Sequence, residues 1–499
     1  MRKLGILMAA VLVVNLVSVA MASGPRNTGF QVQNLGVNPA EVTIFFYNTD
    51  GTVQCTEGPH IIPVGGSKSF FQGWETSPIA DCIGLDTSLV SWIGSAVIQS
   101  TEPAAVIANI REETEYATGA YVGTPDTRVG QPLILPGLFG SNTYGFTSDF
   151  VVQNTGVAST TVDIEFWGSV DGVPPSVLGK TIEDVVIAGQ AAYFYDVEDD
   201  TELPANWIGV GVAISEDGTP LAGTVNQRPA GGAAGALFTF DAVAADTIPD
   251  DPDSSLPGLM KNYYDYWTGV QVIAVEDATA GDILIYEPGN PTPVYSETFS
   301  LNQWESQALF VNEIPGLMDD VLYFGNVDFT AGRGASIGSQ RDFPGTSGLG
   351  YSGIFASGTT PNLSLPFVAR NFWGVSTGFA VKNGGDAGTI DIYFEGTPGT
   401  GSGDYLIDDY ALGSGESLYL FQWPPGCDAE PSCAAVHPNL DGCDAASCGA
   451  YAATYTEKWT GSVRVVGSEG MWLSSIVNER GYEVPVSGDI GQVYNAFNY

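Results

Sequence analysis

Basic residues are scarce in this chain. Of its 499 residues only 16 are Lys or Arg, against 57 Asp or Glu, which gives a formal net charge of -41. Charged residues make up 15% of the chain, whereas typical soluble domains contain about 25%, so base is missing rather than acid added. The strongly negative surface argues against nucleic acid and anionic lipid as partners and favours divalent cations or basic partners.

Catalytic signatures are also scarce. The chain has two histidines, His60 and His437, and lacks the G-x-S-x-G, H-E-x-x-H and phosphate-binding glycine motifs. The sequence does not exclude a pair of carboxylates suited to glycoside hydrolysis, since Asp and Glu are plentiful. The chain consists of copied domains, and this makes it difficult to single out one pair of carboxylates as catalytic. We expect a protein that is not an enzyme.

Long apolar runs are absent beyond the N-terminus. Residues 1–22 are typical of an export signal, because Arg2 and Lys3 precede an apolar run and small residues precede Ser23. We expect cleavage before Ser23; an uncleaved anchor is the alternative, since the run approaches the roughly 20 residues that span a bilayer. The mature chain should be secreted to the extracellular side or cell surface, without a transmembrane segment.

Cysteines are few and unevenly placed. Three disulfides are the simplest use of six cysteines in an exported protein. Their spacing matches no common zinc pattern, which leaves metal binding as the minor alternative. The pairing of the last four stays open. The cysteines are Cys55, Cys82, Cys427, Cys433, Cys443 and Cys448.

Two short sequence phrases recur four times in the same order. The first is Phe30–Asn34, with its copies at 150–154 and 379–383 and a degenerate copy at 270–274. The second begins with an aromatic residue and a glycine two positions later, and ends at an arginine. Its aromatic residues are Trp92, Trp207, Tyr323 and Trp459, and its arginines are Arg111, Arg228, Arg341 and Arg480. One domain has therefore been copied, which is typical of a structural array or a repeated binding unit.

Each copy shows alternating strands and turns without a helical period. Val162, Ile164 and Phe166 alternate with polar residues, which predicts a strand with one buried face. About seven such strands in roughly 110 residues are typical of an immunoglobulin-like β-sandwich. The fold class is thus all-β, with four tandem sandwiches in an elongated array. The predicted boundaries are 1–22 for the signal peptide, then 23–134, 135–255, 256–362 and 363–499, with a Cys-rich insertion at 424–458.

Segments of the third and fourth copies resemble sequences of a known kind of protein. Leu256-Pro257-Gly258-Leu259 with the aromatics that follow, and the closing Val493-Tyr494-Asn495, resemble uncharacterised repeats of secreted bacterial surface proteins. The resemblance covers residues 24–499. It implies a β-sandwich at the cell surface and supplies no catalytic residues.

The repeated aromatic and basic residues have two interpretations each. The four aromatics either close the core of each sandwich, which we favour, or form platforms that stack on sugars. The four arginines either fix a loop or the next domain through a charge-assisted bond, which we favour, or form a repeated anion site.

Acidic clusters are candidates for calcium, which takes six to eight oxygen ligands. The best candidate is the linker before the third copy, with Asp250, Asp251 and Asp253. Solvated acidic loops are the alternative. Further acidic residues cluster at 196–202 and at 404–409.

These features predict a secreted, non-catalytic structural protein of a bacterial surface, as a subunit of a layer, filament or matrix, or as a stalk. The alternative is an adhesin that binds a glycan or protein through the loop that contains Cys427 and Cys448. Self-association would distinguish the first function, because sheet edges can contact neighbouring molecules.

Overall fold

Strands make up nearly all of the regular structure. The computed structural model describes residues 13–18, 26–71, 79, 92–112, 118–140, 145–170, 172, 175–232, 235–263, 265–287, 290–342, 348–370, 375–397, 402–421, 459–481 and 491–498. This part of the chain contains 36 β-strands. It also contains five 3-10 helices of three residues, at Val197–Asp199, Ala230–Gly232, Ala245–Thr247, Val311–Glu313 and Ala356–Gly358.

Nine strands recur four times in the same chain order, and we letter them a to i within each unit. Unit 1 contains β1 (Val13–Ser18), β2 (Arg26–Asn34), β3 (Ala40–Asn48), β4 (Val53–Ile62), β5 (Ser67–Phe71), β6 (Gly94–Ser100), β7 (Ala104–Glu112), β8 (Thr118–Val122) and β9 (Thr124–Pro125). Unit 2 contains β10 (Leu133–Phe139), β11 (Phe146–Asn154), β12 (Thr160–Val170), β13 (Val177–Ile187), β14 (Ala192–Asp196), β15 (Trp207–Ser215), β16 (Leu221–Pro229), β17 (Phe238–Asp241) and β18 (Val243–Ala244).

The other two units repeat this order. Unit 3 contains β19 (Ser254–Lys261), β20 (Tyr266–Ala274), β21 (Thr279–Tyr286), β22 (Tyr295–Leu301), β23 (Ser306–Phe310), β24 (Val321–Ala331), β25 (Gly334–Asp342), β26 (Gly348–Ser352) and β27 (Ile354–Phe355). Unit 4 contains β28 (Asn362–Arg370), β29 (Val375–Asn383), β30 (Gly388–Gly396), β31 (Tyr405–Leu412), β32 (Ser417–Phe421), β33 (Trp459–Gly467), β34 (Leu473–Gly481), β35 (Gly491–Asn495) and β36 (Phe497–Asn498).

Each unit pairs a five-stranded sheet with a four-stranded sheet. The five-stranded sheet has the order d-c-f-a-i and the four-stranded sheet the order e-b-g-h, with antiparallel pairing. Along β12 buried and half-buried residues alternate, and Val162, Ile164 and Phe166 are all 0% exposed. The predicted fold class, four β-sandwich-like units in chain order, is confirmed.

The aromatic-x-glycine phrase is explained by close packing at the start of strand f. A Cβ atom on Gly209 would lie 2.6 Å from Cζ2 of Trp207 and 2.1 Å from the carbonyl oxygen of Trp167. Gly94 and Gly461 meet the rings of Trp92 and Trp459 in the same way. The aromatic ring folds back over the strand, and only glycine leaves room for it.

The asparagine that ends strand b closes the turn that follows. Asn154 Nδ2 donates to the carbonyl oxygens of Ala158 at 2.7 Å and Ile187 at 3.0 Å, and its Oδ1 accepts from Gly156 N–H at 2.8 Å. Asn34 and Asn383 make the same set of bonds. The asparagine side chain therefore pairs with backbone carbonyl and N–H groups in and beside the turn that have no partner in the neighbouring strands.

The four units form a closed ring, so the prediction of an elongated array is not confirmed. Gln31 Nε2 of unit 1 donates to the carbonyl oxygen of Pro366 in unit 4 at 2.6 Å, and Ser462 Oγ of unit 4 donates to that of Gly65 at 3.2 Å. Ser364 of unit 4 also hydrogen-bonds Gln33 of unit 1. The first and last units are therefore in direct contact.

The reason for closure is that the four-stranded sheets are buried on both faces. All nine residues of β11 are buried. One face packs inside its own sandwich, and the other packs on the five-stranded sheet of the preceding unit, as where Ile273 and Ala335 of unit 3 meet Ile134 and Val210 of unit 2. An open array would expose one such face of unit 1. In the ring, Ile107 of that face joins the core of unit 4.

The first strand of unit 1 lies within the predicted export signal. Strand β1 pairs with β6 from Val13 opposite Ser100 to Ser18 opposite Ser95, and it also pairs with β9. This is the position that β10 occupies in unit 2, between β15 and β18. If residues 1–22 are removed on export, unit 1 loses this strand.

Candidate functional site

The ring encloses a cavity of about 90 Å³ on its axis, where all four units meet. It is lined by the last residue of each strand h and by the short strands i. The strand-h residues are Val122, Asp241, Ser352 and Asn495, one from each unit at an equivalent position. The axis is therefore the one place in the described chain where equivalent residues of four copies converge.

Hydrogen bonds join these four positions around the axis. Val122 N–H of unit 1 donates to Asp241 Oδ1 of unit 2 at 3.0 Å. Ser352 Oγ of unit 3 donates to the carbonyl oxygen of Asp241 at 3.4 Å, and Asn495 Nδ2 of unit 4 donates to that of Ser352 at 2.7 Å. The axial contacts thus bond the units to one another.

Asp241 is the chemically unusual group of the cavity. Burial raises the pKa of its carboxyl from 3.8 to about 7, against the opposing effects of the Val122 hydrogen bond and the positive charge of Arg128. Near neutral pH this carboxyl is therefore present in both protonation states. It can donate or accept a proton in the pH range where most carboxyls only accept hydrogen bonds.

Arg128 and Tyr121 flank Asp241. Arg128 lines the cavity, and desolvation lowers its guanidinium pKa against the opposing effect of the negative charge of Asp241. Burial likewise raises the pKa of Tyr121. Among the described residues, neither the Tyr121 hydroxyl nor Asn495 Oδ1 has a hydrogen-bond partner, and both residues line a second cavity of about 10 Å³. Such a space is close to the minimum for one water molecule.

Sequence reasoning missed this site. The equivalent positions hold Val, Asp, Ser and Asn, so no residue type is repeated to mark them. A usable signal was present in the alignment of the four copies, since the position is polar in three of them and directly precedes a small residue, Gly or Ala.

Comparisons with known proteins do not assign a family. No protein-family model matches the chain, and no curated protein matches it. Among solved structures, a glycoside hydrolase of family 32 from Bifidobacterium adolescentis aligns with 11% identity over 92% of this chain and 98% of that chain. The TM-score of that alignment is 0.13.

The repeated aromatics lie in the cores of their units. Trp207 is 1% exposed, Tyr323 0% and Trp459 4%. Trp92 is half-buried, and its indole N–H donates to Asn48 Oδ1 at 3.0 Å. Their position favours core packing over stacking on sugars.

The repeated arginines differ in their contacts. Arg228 is buried and bonds three carboxylates, those of Asp149 at 3.2 Å, Asp196 at 2.5 Å and Glu198 at 2.7 Å. Arg341 instead lies 4.6 Å from the ring centre of Phe146 in unit 2, so it contacts the preceding unit. The side chains of Arg111 and Arg480 lie outside the described residues. Arg228 therefore stabilises its own unit, and Arg341 stabilises the contact between units 2 and 3.

The linker aspartates do not form a cluster. Asp250 and Asp251 are exposed, whereas Asp253 Oδ1 accepts from Phe329 N–H at 2.6 Å. Within the described ranges, two other groups of carboxylates have oxygens within 4.8 Å of one another. They are Asp163, Asp184 and Glu216, and Asp391, Asp408 and Asp409. Calcium binding at the linker stays a prediction.

The aspartates of these two groups lie on equivalent hairpins, formed by strands c and d of units 2 and 4, whereas Glu216 follows strand f. Asp163 accepts from Asp184 N–H and Asp391 accepts from Asp409 N–H, each at 2.9 Å. Asp184 and Asp409 have φ values of 60° and 51°. The aspartates therefore stabilise the bulge that each hairpin contains.

Most of the cysteines that are predicted to form disulfides lie outside the described residues. Cys55 is half-buried in β4 and is not a free thiol. The described part of the chain contains no disulfide between two of its own residues. Cys82, Cys427, Cys433, Cys443 and Cys448 lie outside it, as does the proposed adhesive loop. No helix in the described ranges is long and apolar enough to cross a membrane.

Proposed function

We propose that this protein is a secreted, non-catalytic structural subunit of a bacterial surface layer or matrix, and that it acts as a ring-shaped block. A stalk would need units in line, and contacts between units 1 and 4 do not support that form. The observation that carries the proposal is the distribution of exposed apolar side chains on the outer rim.

The rim is formed by strands d, because strand i, at the other end of each five-stranded sheet, lines the axis. Six of the 13 large apolar side chains that are exposed in the described part of the chain lie on three of these edge strands. They are Val53 and Ile61 on β4, Val177, Leu178 and Val186 on β13, and Leu406 on β31. Exposed apolar patches that recur on equivalent edges are typical of contacts between protein molecules.

The edge strands are shaped for side-chain contact rather than for strand addition. In units 1, 2 and 4 the pairing of strands c and d is interrupted by a register shift, whereas β21 and β22 pair without one. Bulges bend an edge and hinder pairing with another strand. The continuous edge β22 exposes the polar residues Ser296, Thr298 and Ser300 instead of apolar ones.

The features that the copies share also support a structural role. Buried tryptophans and the asparagines that close turns stabilise each unit, and the equivalent axial residues bond the units together. A net charge of -41 opposes contact between molecules, so divalent cations or a basic partner should promote assembly.

Analytical ultracentrifugation of residues 23–499 with calcium and with chelator tests the proposal. We expect concentration-dependent association, stronger with calcium. The triple variant Val177→Thr, Leu178→Thr, Val186→Thr should weaken association about tenfold or more, because it removes apolar contact while keeping the strand.

The matched control is Val37→Thr with Val157→Thr. These two residues are 85% and 93% exposed but lie in turns, away from the edge strands. A wild-type protein that stays monomeric at high concentration under both conditions contradicts the proposal. Equal effects of the two sets of substitutions would also contradict it, since association would then not depend on the rim.

A further inference from the structure

The interface between units 3 and 4 contains a buried lysine that contacts an amide side chain of the neighbouring unit. Lys382 is on β29, strand b of unit 4, and is 4% exposed. Its Nζ hydrogen-bonds the side-chain oxygen of Asn326 in unit 3 and lies 3.4 Å from the carbonyl oxygen of Gly325. It also lies 5.3 Å from the ring centre of Tyr286. The lysine therefore reaches across the interface to an amide side chain.

An acid lies beside this pair. Asn326 and Asp328 are two residues apart on β24, so their side chains are on the same face of the strand. Both are half-buried. Tyr286 interacts with the side chain of Asn326, and the charges of Lys382 and Asp328 influence each other. Amine, carboxamide and carboxyl thus occupy one site.

The surroundings shift the amine and the acid toward their neutral forms. Burial lowers the pKa of Lys382 from 10.5 to about 8. Burial, together with the nearby charges of Asp253, Asp282 and Asp251, raises the pKa of Asp328 from 3.8 to about 6, despite the opposing charge of Lys382. At pH 7 about a tenth of each group is then in its neutral form. A neutral amine is a nucleophile and a neutral carboxyl is a proton donor.

The combination is confined to this interface. The positions that correspond to Lys382 hold Gln33, Gln153 and Ile273, and those that correspond to Asn326 hold Ser95, Val210 and Ser462. At the interface between units 4 and 1, Gln33 and Ser462 make only hydrogen bonds, to Ser364 and Gly65. Lys382, Asn326 and Asp328 therefore occupy, at one of the four interfaces, the position where another interface has ordinary polar contacts.

We propose that Lys382 Nζ and Asn326 Cγ become joined by an isopeptide bond that covalently links units 3 and 4. The neutral amine attacks the carboxamide carbon, and Asp328 protonates the amide and transfers the proton that the amine loses. The C–N bond to the Asn326 amide nitrogen breaks and ammonia leaves. The reaction requires no oxidant or cofactor, and the product has the mass of the chain minus one ammonia.

Mass spectrometry of the purified, reduced chain tests this directly. We expect the intact mass to be about 17 Da below the mass calculated from the sequence of the purified chain, because the formation of one isopeptide bond releases one molecule of ammonia. Proteolysis should yield a branched peptide that contains residues 326 and 382. That peptide is decisive, because an asparagine that cyclises on its own also loses ammonia but joins no second segment.

Three variants identify the roles of the residues. Lys382→Met should restore the full mass, and Asp328→Asn should slow the reaction while the fold, followed by circular dichroism, stays intact. Lys261→Met is the matched control and should leave the mass loss unchanged, since Lys261 is also buried but donates to the backbone carbonyl oxygens of Ile314 and Leu317 instead of to an amide side chain. A freshly folded chain of full mass that does not change over days, with no branched peptide, overturns the proposal.

Discussion

Replacing Asp241 by asparagine should stabilise the protein at neutral and alkaline pH and have a much smaller effect in mild acid. The carboxyl has a pKa of about 7 in the folded protein and 3.8 when exposed. A raised pKa means that the folded state binds the proton more tightly. Its stabilising contribution is complete below pH 3.8 and is lost as the pH rises through 7.

The size of the effect follows from the same two values. Each pKa unit corresponds to about 1.4 kcal/mol, so ionisation of Asp241 costs the folded state at most about 4 kcal/mol at pH 8. Asparagine cannot ionise, and its oxygen can still accept the hydrogen bond from Val122 N–H. The difference between variant and wild type should therefore grow by about 3 kcal/mol between pH 4.5 and pH 8.

Urea unfolding at pH 4.5, 6 and 8 measures this difference. Asp126→Asn is the control, because Asp126 is an exposed carboxyl close to the same cavity. Its effect on the free energy of unfolding should stay within about 0.5 kcal/mol at each pH. A stability difference for Asp241→Asn that is the same at all three pH values would refute the reasoning, since it could not arise from ionisation.

Three substitutions test the repeated structural residues by the same unfolding assay. Gly209→Ala should cost about 1–3 kcal/mol, because its methyl group would overlap the Trp207 ring. Asn154→Ala should cost about 2–3 kcal/mol, because it leaves buried backbone groups without partners. Arg228→Met should cost about 3–5 kcal/mol, because it leaves Asp149 buried and uncompensated.

Matched controls separate these causes from general sensitivity to mutation. Gly66→Ala places its Cβ no closer than 3.4 Å to any neighbour, and Asn38→Ala removes an exposed amide. Arg333→Met removes a partly exposed ion pair with Glu276 and a hydrogen bond to the carbonyl oxygen of Ile248, but leaves no buried carboxylate without its partner. Each control should cost about 1 kcal/mol or less. Test variants that are no more destabilised than their controls would contradict the roles given to the three residues.

The strands and the number of units could be predicted from the sequence because both depend on local pattern. The alternation of Val162, Ile164 and Phe166 specifies one buried face, and repeated phrases show the copying. Closure of the ring depends instead on the second face of each strand b. That face is lined by residues such as Gln31 and Gln33, which are equally compatible with solvent and with a neighbouring unit.

The axial site could not be predicted because its residues have no common chemistry. Asp241 is unusual only because three other units surround it, and its own sequence surroundings resemble any strand end. The reactive interface was missed for a similar reason. Lys382 and Asn326 are 56 residues apart, and only the packing of unit 4 on unit 3 brings them together.

Small-angle X-ray scattering of residues 23–499 tests the central claim, that the four units close into a ring. A compact particle of this length has a radius of gyration of about 23 Å. Four units in line, each with a radius of gyration of about 13 Å, would give about 40 Å or more. We predict a value between about 23 and 26 Å, and a value near 40 Å for the monomer would contradict the closed ring.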